Sequence, residues 1–272
     1  MKQLLFLLTF LPSIVCAGDL KKDKAIELIN STVQIRMAGS QGTGVVIYSE
    51  MDEEDDRVKN TYVITNKHVA KKVGKRGKVK KYVFLKKRLT VGHREYTTRT
   101  VFVSKHHDVA IIEIKTPATE NFKPVEFCPE SSWDRMTLYD KVYLVSCGLG
   151  TVPTVTKGNL SSVNAKETSM MFTAQIIYGS SGGGLYNSEG KLIGLGNAIR
   201  LTRGHPIPHK ALGVPLPAIL KDLRESDYKF ILGEEEEDED HWYWEDEDEE
   251  EEEDDDDSKE KIPEAPKEKE WF

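Results

Sequence analysis

The chain has 272 residues, with 38 Lys and Arg against 46 Asp and Glu, a formal net charge of −8 and only 3 cysteines. That length supports one sizeable domain or a two-barrel unit, and so few cysteines exclude a disulfide framework. Charge is very uneven: residues 234–272 hold 24 acidic and 4 basic side chains, net −20, which leaves +12 on residues 1–233 and excludes a uniformly acidic surface.

Residues 1–17 carry Lys2, an apolar run from Leu4 to Leu11, then Pro12 and Val15-Cys16-Ala17. This is the layout of a secretory signal peptide cleaved after Ala17, and its apolar run is too short for a stable membrane span. Residues 19–30 place Leu20, Ala25, Leu28 and Ile29 at the spacing of a short amphipathic helix. From Val33 to Val214 short β-rich runs alternate with Gly, Pro, Asn and Ser, which favours an all-β barrel or sandwich over βαβ units.

Within that region, residues 50–56 form an acidic loop, and Tyr62-Val63-Ile64-Thr65-Asn66-Lys67-His68 reads as a β-branched strand ending in a histidine. Ten basic residues crowd Lys71 to Arg88, a candidate basic face. His107-Asp108-Val109-Ala110-Ile111-Ile112 sets an aspartate before an apolar strand in which Ala110, Ile112 and Ile114 share a face. His106 and His107 read as partly exposed loop residues. Residues 122–135, with few periodic signals, are a natural bridge between two halves. Cys128 and Cys147 either pair or remain as two buried thiols, the second being favoured.

Tyr178-Gly179-Ser180-Ser181-Gly182-Gly183-Gly184 is a serine turn fenced by glycines. Glycine at 179 and 182 permits tight turns that a Cβ obstructs, so a hydroxyl is held forward with backbone N–H groups aimed before it. That is the geometry of a serine nucleophile with an oxyanion hole. The order His68, Asp108, Ser181 supplies base, orienting acid and nucleophile from separate strand ends. Residues 215–224 read as a closing helix with Ile219, Leu220 and Leu223 on one side. After Gly233 the acidic low-complexity tail repels itself and cannot build a core, so it is expected to be disordered. No Cys/His cluster has zinc spacing and no glycine loop has a phosphate-binding pattern, so neither metal nor cofactor is expected. Thin aromatic interleaving of the basic stretch, together with export, argues against nucleic acid as a partner.

Gly42-Thr43-Gly44-Val45-Val46, Thr65-Asn66-Lys67-His68-Val69, Asp108-Val109-Ala110, Gly179-Ser180-Ser181-Gly182-Gly183, Gly190-Lys191-Leu192-Ile193-Gly194 and Ala211-Leu212-Gly213-Val214-Pro215 together resemble trypsin-like serine peptidases, within them the HtrA/Deg-like branch. The resemblance implies two six-stranded β-barrels of the trypsin-like type, with short N-terminal and C-terminal helices and a disordered acidic tail. With the leader and tail read from composition, the expected division is a signal peptide at 1–17, a trypsin-like peptidase domain at 18–233 and the acidic tail at 234–272, with no PDZ-like domain following the peptidase. Ser181 would attack the scissile carbonyl, His68 would carry the proton, and Asp108 would orient the imidazole. Backbone N–H groups of Gly179 and Ser181 would form the oxyanion hole. Gln175 would lie near the base of the primary pocket, with Gly196, Asn197 and Ala198 as one wall, suiting a small or medium apolar side chain. Ser180 stands where zymogen-activated relatives carry an aspartate, which implies no activating cleavage. The expected activity is therefore that of an exported serine endopeptidase acting on proteins or peptides, in the periplasm or secreted. Its tail would fold on the Lys71–Arg88 face or bind basic partners. The alternative is a catalytically idle peptidase fold whose tail engages cations or basic partners.

Overall fold

The computed structural model describes residues 18–37, 40–73, 77–164, 166–202 and 204–233. The expected signal peptide and acidic tail lie outside the described residues. After α1 (Lys22–Asn30), six strands close the first barrel: β1 (Thr32–Met37), β2 (Ser40–Met51), β3 (Val58–Thr65), β4 (Lys78–Leu85), β5 (Leu89–Val103) and β6 (Ala110–Pro117). They run in the order β1-β2-β3-β6-β5-β4, and β1 closes the ring by pairing antiparallel with both β2 and β4. A second set, β7 (Lys141–Ser146), β8 (Thr154–Val163), β9 (Met170–Phe172), β10 (Gly184–Tyr186), β11 (Leu192–Thr202) and β12 (His205–Pro215), closes as β10-β11-β12-β9-β8-β7. The fold is thus all-β with two six-stranded barrels, as the residue pattern implied.

Strand alternation decides which side chains fill each core, because successive residues face opposite sides of a sheet. On β6, Ala110, Ile112 and Ile114 join Val33, Ile35, Val46, Val63 and Val79 inside the first barrel. Their neighbours Val109 and Ile111, with Val45, Ile47 and Ile64, pack instead into a core continuous with Leu144, Val145, Leu185 and Leu195 of the second barrel. One barrel's outer face is therefore the other's packing surface. The connecting segment stitches the two: Val125 N–H donates to the Val46 carbonyl, and Cys128 N–H to that of Leu192, both within 3.0 Å. A single helical turn, α3 (Glu130–Trp133), lies in this bridge.

The closing helix α4 (Leu216–Arg224) starts one residue later than the sequence pattern placed it and buries Ile219, Leu220 and Leu223 as expected. After it, Tyr228 and Phe230 pack on Tyr48 and Tyr62, with ring centroids 5.3–6.0 Å apart. Cys128 and Cys147 are both free and buried. Desolvation pushes the Cys147 thiol up to about 12 and raises that of Cys128 as well. Within the basic stretch, Lys80 and Lys81 are buried rather than displayed: Lys80 pairs with Glu95 at 2.9 Å and Lys81 with Glu120 at 2.6 Å. Lys71, Lys78, Lys86, Lys87 and Arg88 remain exposed. Among the described residues, no helix is long and apolar enough to cross a membrane.

Candidate active site

The strand expected to end in a histidine stops at Thr65, and His68 lies in the first turn of α2 (Lys67–Val73). Asp108 waits opposite, two residues before β6. Its Oδ2 lies 2.7 Å from His68 Nδ1, and its Oδ1 accepts the His68 backbone N–H at 2.9 Å. Burial alone would raise the Asp108 carboxyl, but these two hydrogen bonds, together with the electrostatic field of His68 and Lys67, hold the group below the usual carboxylate range. The loop carrying Asp108 is pinned from several sides. Asn66 Nδ2 donates to the Asp108 carbonyl at 2.9 Å, Lys67 Nζ to the Ser104 carbonyl at 2.8 Å, and Ser104 Oγ accepts the backbone N–H groups of His106 and His107. His106 and His107 both lie in the loop, His106 exposed and His107 half-buried. His107 Nδ1 lies 3.0 Å from Oδ1 of Asp222 on α4, whose side chain is 2 % exposed, so the closing helix anchors this loop.

The glycine-fenced turn is latched to the first barrel. Thr43 N–H donates to the Ser181 carbonyl at 2.8 Å, and Thr65 Oγ1 to the Thr43 carbonyl at 2.7 Å. A Cβ on Gly182 would fall 2.2 Å from both Thr43 O and Thr65 Oγ1 and 3.2 Å from Asn66 N, so only glycine lets the turn sit against the segment leading into His68. The second barrel fixes its other side, because Gly196 exchanges both backbone hydrogen bonds with Gly182 and Gly183 at 2.8 Å. Ser180 is buried, its Oγ held by Ser146 Oγ at 3.1 Å and by Ile177 N–H at 3.2 Å. Ser181 is half-buried, and its hydroxyl donates to the Asn197 carbonyl at 2.9 Å.

Two amide N–H groups of the serine turn, those of Gly179 and Ser181, point away from the turn's own hydrogen bonds. The Tyr178 carbonyl accepts Leu149 N–H at 2.7 Å, so in the planar trans peptide the Gly179 N–H points the opposite way. Likewise the Ser180 carbonyl accepts Gly183 N–H at 2.9 Å, which turns the Ser181 N–H outward. Neither N–H has a partner among the described residues. Gly179 adopts φ +88°, a left-handed backbone that other residues seldom reach. Its carbonyl is fixed by Thr43 Oγ1 at 2.7 Å, and the same hydroxyl accepts Cys147 N–H at 2.9 Å. Thr43 and Thr65 are functional supports that sequence reading did not single out. Their only signal was membership of the Gly-Thr-Gly and Thr-Asn-Lys-His pieces.

Beside the turn lies a cavity of ≈ 1010 Å³, bounded by Gln175 to Tyr178, Ile199, His209 and Ala211 with part of β8 and the residues just after β9. Gln175 lines it but is exposed, so it stands at the rim rather than the base. Gly196 lies beneath the serine turn, where a Cβ would meet Leu144 and Ile176 at 3.0 and 3.4 Å. Asn197 turns its carbonyl to Ser181, and the far wall passes from the expected Gly196–Ala198 to Ile199, beyond a register shift in β11 between Gly196 and Ala198. Among the described residues no group of three or more His, Cys, Asp or Glu side chains could hold a metal ion.

Comparison with known proteins shows the family and the fold. The family described as trypsin-like peptidase domain matches residues 42–195. The periplasmic serine endoprotease DegP of Escherichia coli K12 is 28% identical over 184 residues, covering 65% of this chain and 33% of DegP. A DegP-like periplasmic serine endoprotease of Buchnera aphidicola is 26% identical over 197 residues, 70% of this chain and 36% of its own. The chain therefore spans about a third of the length of these relatives. Among solved structures, the HtrA-type protease AlgW with a tripeptide superposes with a TM-score of 0.56 at 19% identity, over 74% of this chain and 62% of that one. Rv3671c from M. tuberculosis gives 0.54 at 18% identity, over 74% of this chain and 89% of that one, a likeness of fold.

Proposed function

Because this chain belongs to the family of trypsin-like peptidase domains, we propose that it is an exported serine endopeptidase that cleaves peptide bonds with Ser181, His68 and Asp108. The observation that carries this reading is the His68–Asp108 pair at 2.7 Å in a fold that sets a glycine-framed serine with two unpaired amide N–H groups against the segment leading into His68. Asp108 holds Nδ1 of the imidazole protonated, which leaves Nε2 as the base. Ser181 Oγ rotates about χ1 from the Asn197 carbonyl toward Nε2, a move between staggered wells. Oγ then bonds to the scissile carbonyl carbon while its proton passes to Nε2. The oxyanion is received by the N–H groups of Gly179 and Ser181, which are already oriented and so need no reorganisation. Imidazolium returns the proton to the leaving amine, the C–N bond breaks, and water repeats the sequence on the Ser181 ester. The apolar cavity bounded by Ile176, Ile177, Ile199 and Ala211 receives an aliphatic side chain on the acyl side of the bond. Export follows from the signal-peptide layout of residues 1–17 and from the periplasmic relatives.

Fluorophosphonate labelling and hydrolysis of quenched peptides test the assignment. Ser181→Ala is expected to abolish labelling and lower kcat about a millionfold, whereas Ser180→Ala is mild. Equal labelling of both variants would overturn it. The acidic tail is proposed to engage exposed cations of the Lys71–Arg88 stretch. If so, deleting residues 234–272 changes the salt dependence of activity, and an identical salt response would remove that role.

A further inference from the structure

Three polar side chains outside the triad form a directed chain that ends beside Gly179. Tyr82 on β4 donates its hydroxyl to Gln34 Oε1 on β1 at 3.0 Å, and Gln34 Nε2 donates to Gln41 Oε1 on β2 at 3.3 Å. A tyrosine hydroxyl has one proton, and a glutamine amide presents an acceptor at one end and donors at the other. With Gln34 Oε1 taking the Tyr82 proton, Gln34 Nε2 must face Gln41, and Gln41 must turn its own Nε2 the other way. That Nε2 points to the Gly179 edge: a Cβ built on Gly179 would lie 3.4 Å from it. Gln41 Nε2 meets no acceptor among the described residues.

The chain has been given room. Gly150 lies beneath both amides with φ +72°, and a Cβ there would sit 2.1 Å from Gln41 Oε1 and 2.9 Å from Gln34 Nε2. Its carbonyl also faces the Tyr82 hydroxyl at 3.4 Å, so the relay joins the first barrel to the turn that supports Gly179. Gln34 is 3 % exposed, which makes an unsatisfied amide there costly. Gln41 is only half-buried, so its free donors can meet a ligand. It does not border the apolar cavity, which lies on the Gln175–Tyr178 and Ile199 side of the serine turn.

We infer that Gln41 is a substrate-positioning residue whose Nε2–H donates to a backbone carbonyl of the substrate on the leaving-group side of the scissile bond. This rests on the serine endopeptidase reading above. A leaving-group segment laid across Gly179 passes the open amide end of Gln41, and the relay holds that end as a donor before substrate arrives. A preset donor spares the substrate the cost of ordering a flexible side chain.

The test compares two substrates of the full chain: a quenched peptide extending several residues beyond the scissile bond, and the same acyl part carrying a small aromatic amine as leaving group. Gln41→Glu keeps the shape and still accepts from Gln34, but offers no donor. It is expected to lower kcat/KM for the extended peptide about tenfold more than for the short substrate, a ratio set by one lost hydrogen bond plus an unpaired carbonyl. Gln41→Leu is expected to give a similar ratio, and Tyr82→Phe a smaller one, because it releases the relay without removing the donor. A ratio unchanged from wild type in both Gln41 variants overturns the inference, whether activity is retained (a structural glutamine) or lost equally on both substrates (a role at the oxyanion or in the fold). Wild-type protein that cleaves neither substrate and takes no fluorophosphonate label overturns the peptidase reading instead.

Discussion

Replacing Thr43 by valine removes one hydroxyl and almost no volume, so its consequences isolate two hydrogen bonds. The Thr43 side chain accepts Cys147 N–H at 2.9 Å and donates to the Gly179 carbonyl at 2.7 Å, and the residue is fully buried. Each orphaned buried group costs about 1–3 kcal/mol, so Thr43→Val, which orphans two, is expected to destabilise the folded domain by about 2–6 kcal/mol. For a domain of this size each kcal/mol moves Tm by about 2–4 °C, giving a drop of roughly 4–24 °C. The second consequence is chemical. With the Gly179 carbonyl released, the Gly179–Ser180 peptide is held only by the Ser180 N–H on the Ile177 carbonyl; the adjoining Tyr178–Gly179 peptide, which carries the proposed oxyanion N–H, is loosened rather than lost, and kcat is expected to fall about tenfold, less than for a deleted donor. Urea unfolding reads the first effect, and the rate constant of fluorophosphonate labelling, measured well below the new Tm, reads the second. Thr43→Ser restores the hydroxyl and should recover most of both. Destabilisation with an unchanged labelling rate would refute the link from Thr43 to the oxyanion donors. An unchanged urea midpoint would refute the argument about buried partners altogether.

Further outcomes follow from the same geometry. Asp108→Asn loses the charge that fixes the His68 tautomer and is expected to lower kcat about 10⁴-fold with the fold intact, checked by circular dichroism beside the kinetics. Glu120, 5 % exposed, is held down to about 2 from 4.5 because hydrogen bonds from Lys81, Tyr96 and Arg94 outweigh its desolvation. Its folded value is depressed, so its contribution of about 3 kcal/mol is complete above pH 4.5 and disappears as pH falls toward 2. Urea midpoints of wild type and Glu120→Gln should therefore differ at pH 7 and converge on acidification; a constant gap across that range would exclude the effect. Both thiols should resist a disulfide reagent at pH 8 in the native protein and react on unfolding, since burial raises Cys147 and Cys128 above their ordinary range.

Several features could be read from local chemistry. Alternation along residues 109–114 assigned Ala110, Ile112 and Ile114 to one face, and that face is the interior of the first barrel. Ile219, Leu220 and Leu223 marked the buried side of α4 because helical spacing is set within one element. Glycine at 179 and 182 announced left-handed turns, and both have φ near +85°. His107 is a partly exposed loop residue as its sequence suggests, but the carboxylate it meets lies 115 residues away on α4, beyond any local signal. Where a local rule met a tertiary demand, it failed. Lys80 and Lys81 read as part of a basic face, yet barrel closure turns them toward Glu95 and Glu120.

By itself the sequence determined the strand faces, the turns that demand glycine, and the order of histidine, aspartate and serine along the chain. Each depends on a residue's own backbone preferences or on neighbours a few positions away. Only the tertiary structure decided that Ser181 rests on the Asn197 carbonyl, that Thr43 holds the Gly179 carbonyl, and that Tyr82 and Gln34 orient Gln41. A hydroxyl or amide can bond with equal chemistry to many partners in the sequence. Closing two barrels on a shared core leaves a buried polar group few partners within reach, and the penalty for leaving it unpaired selects among them.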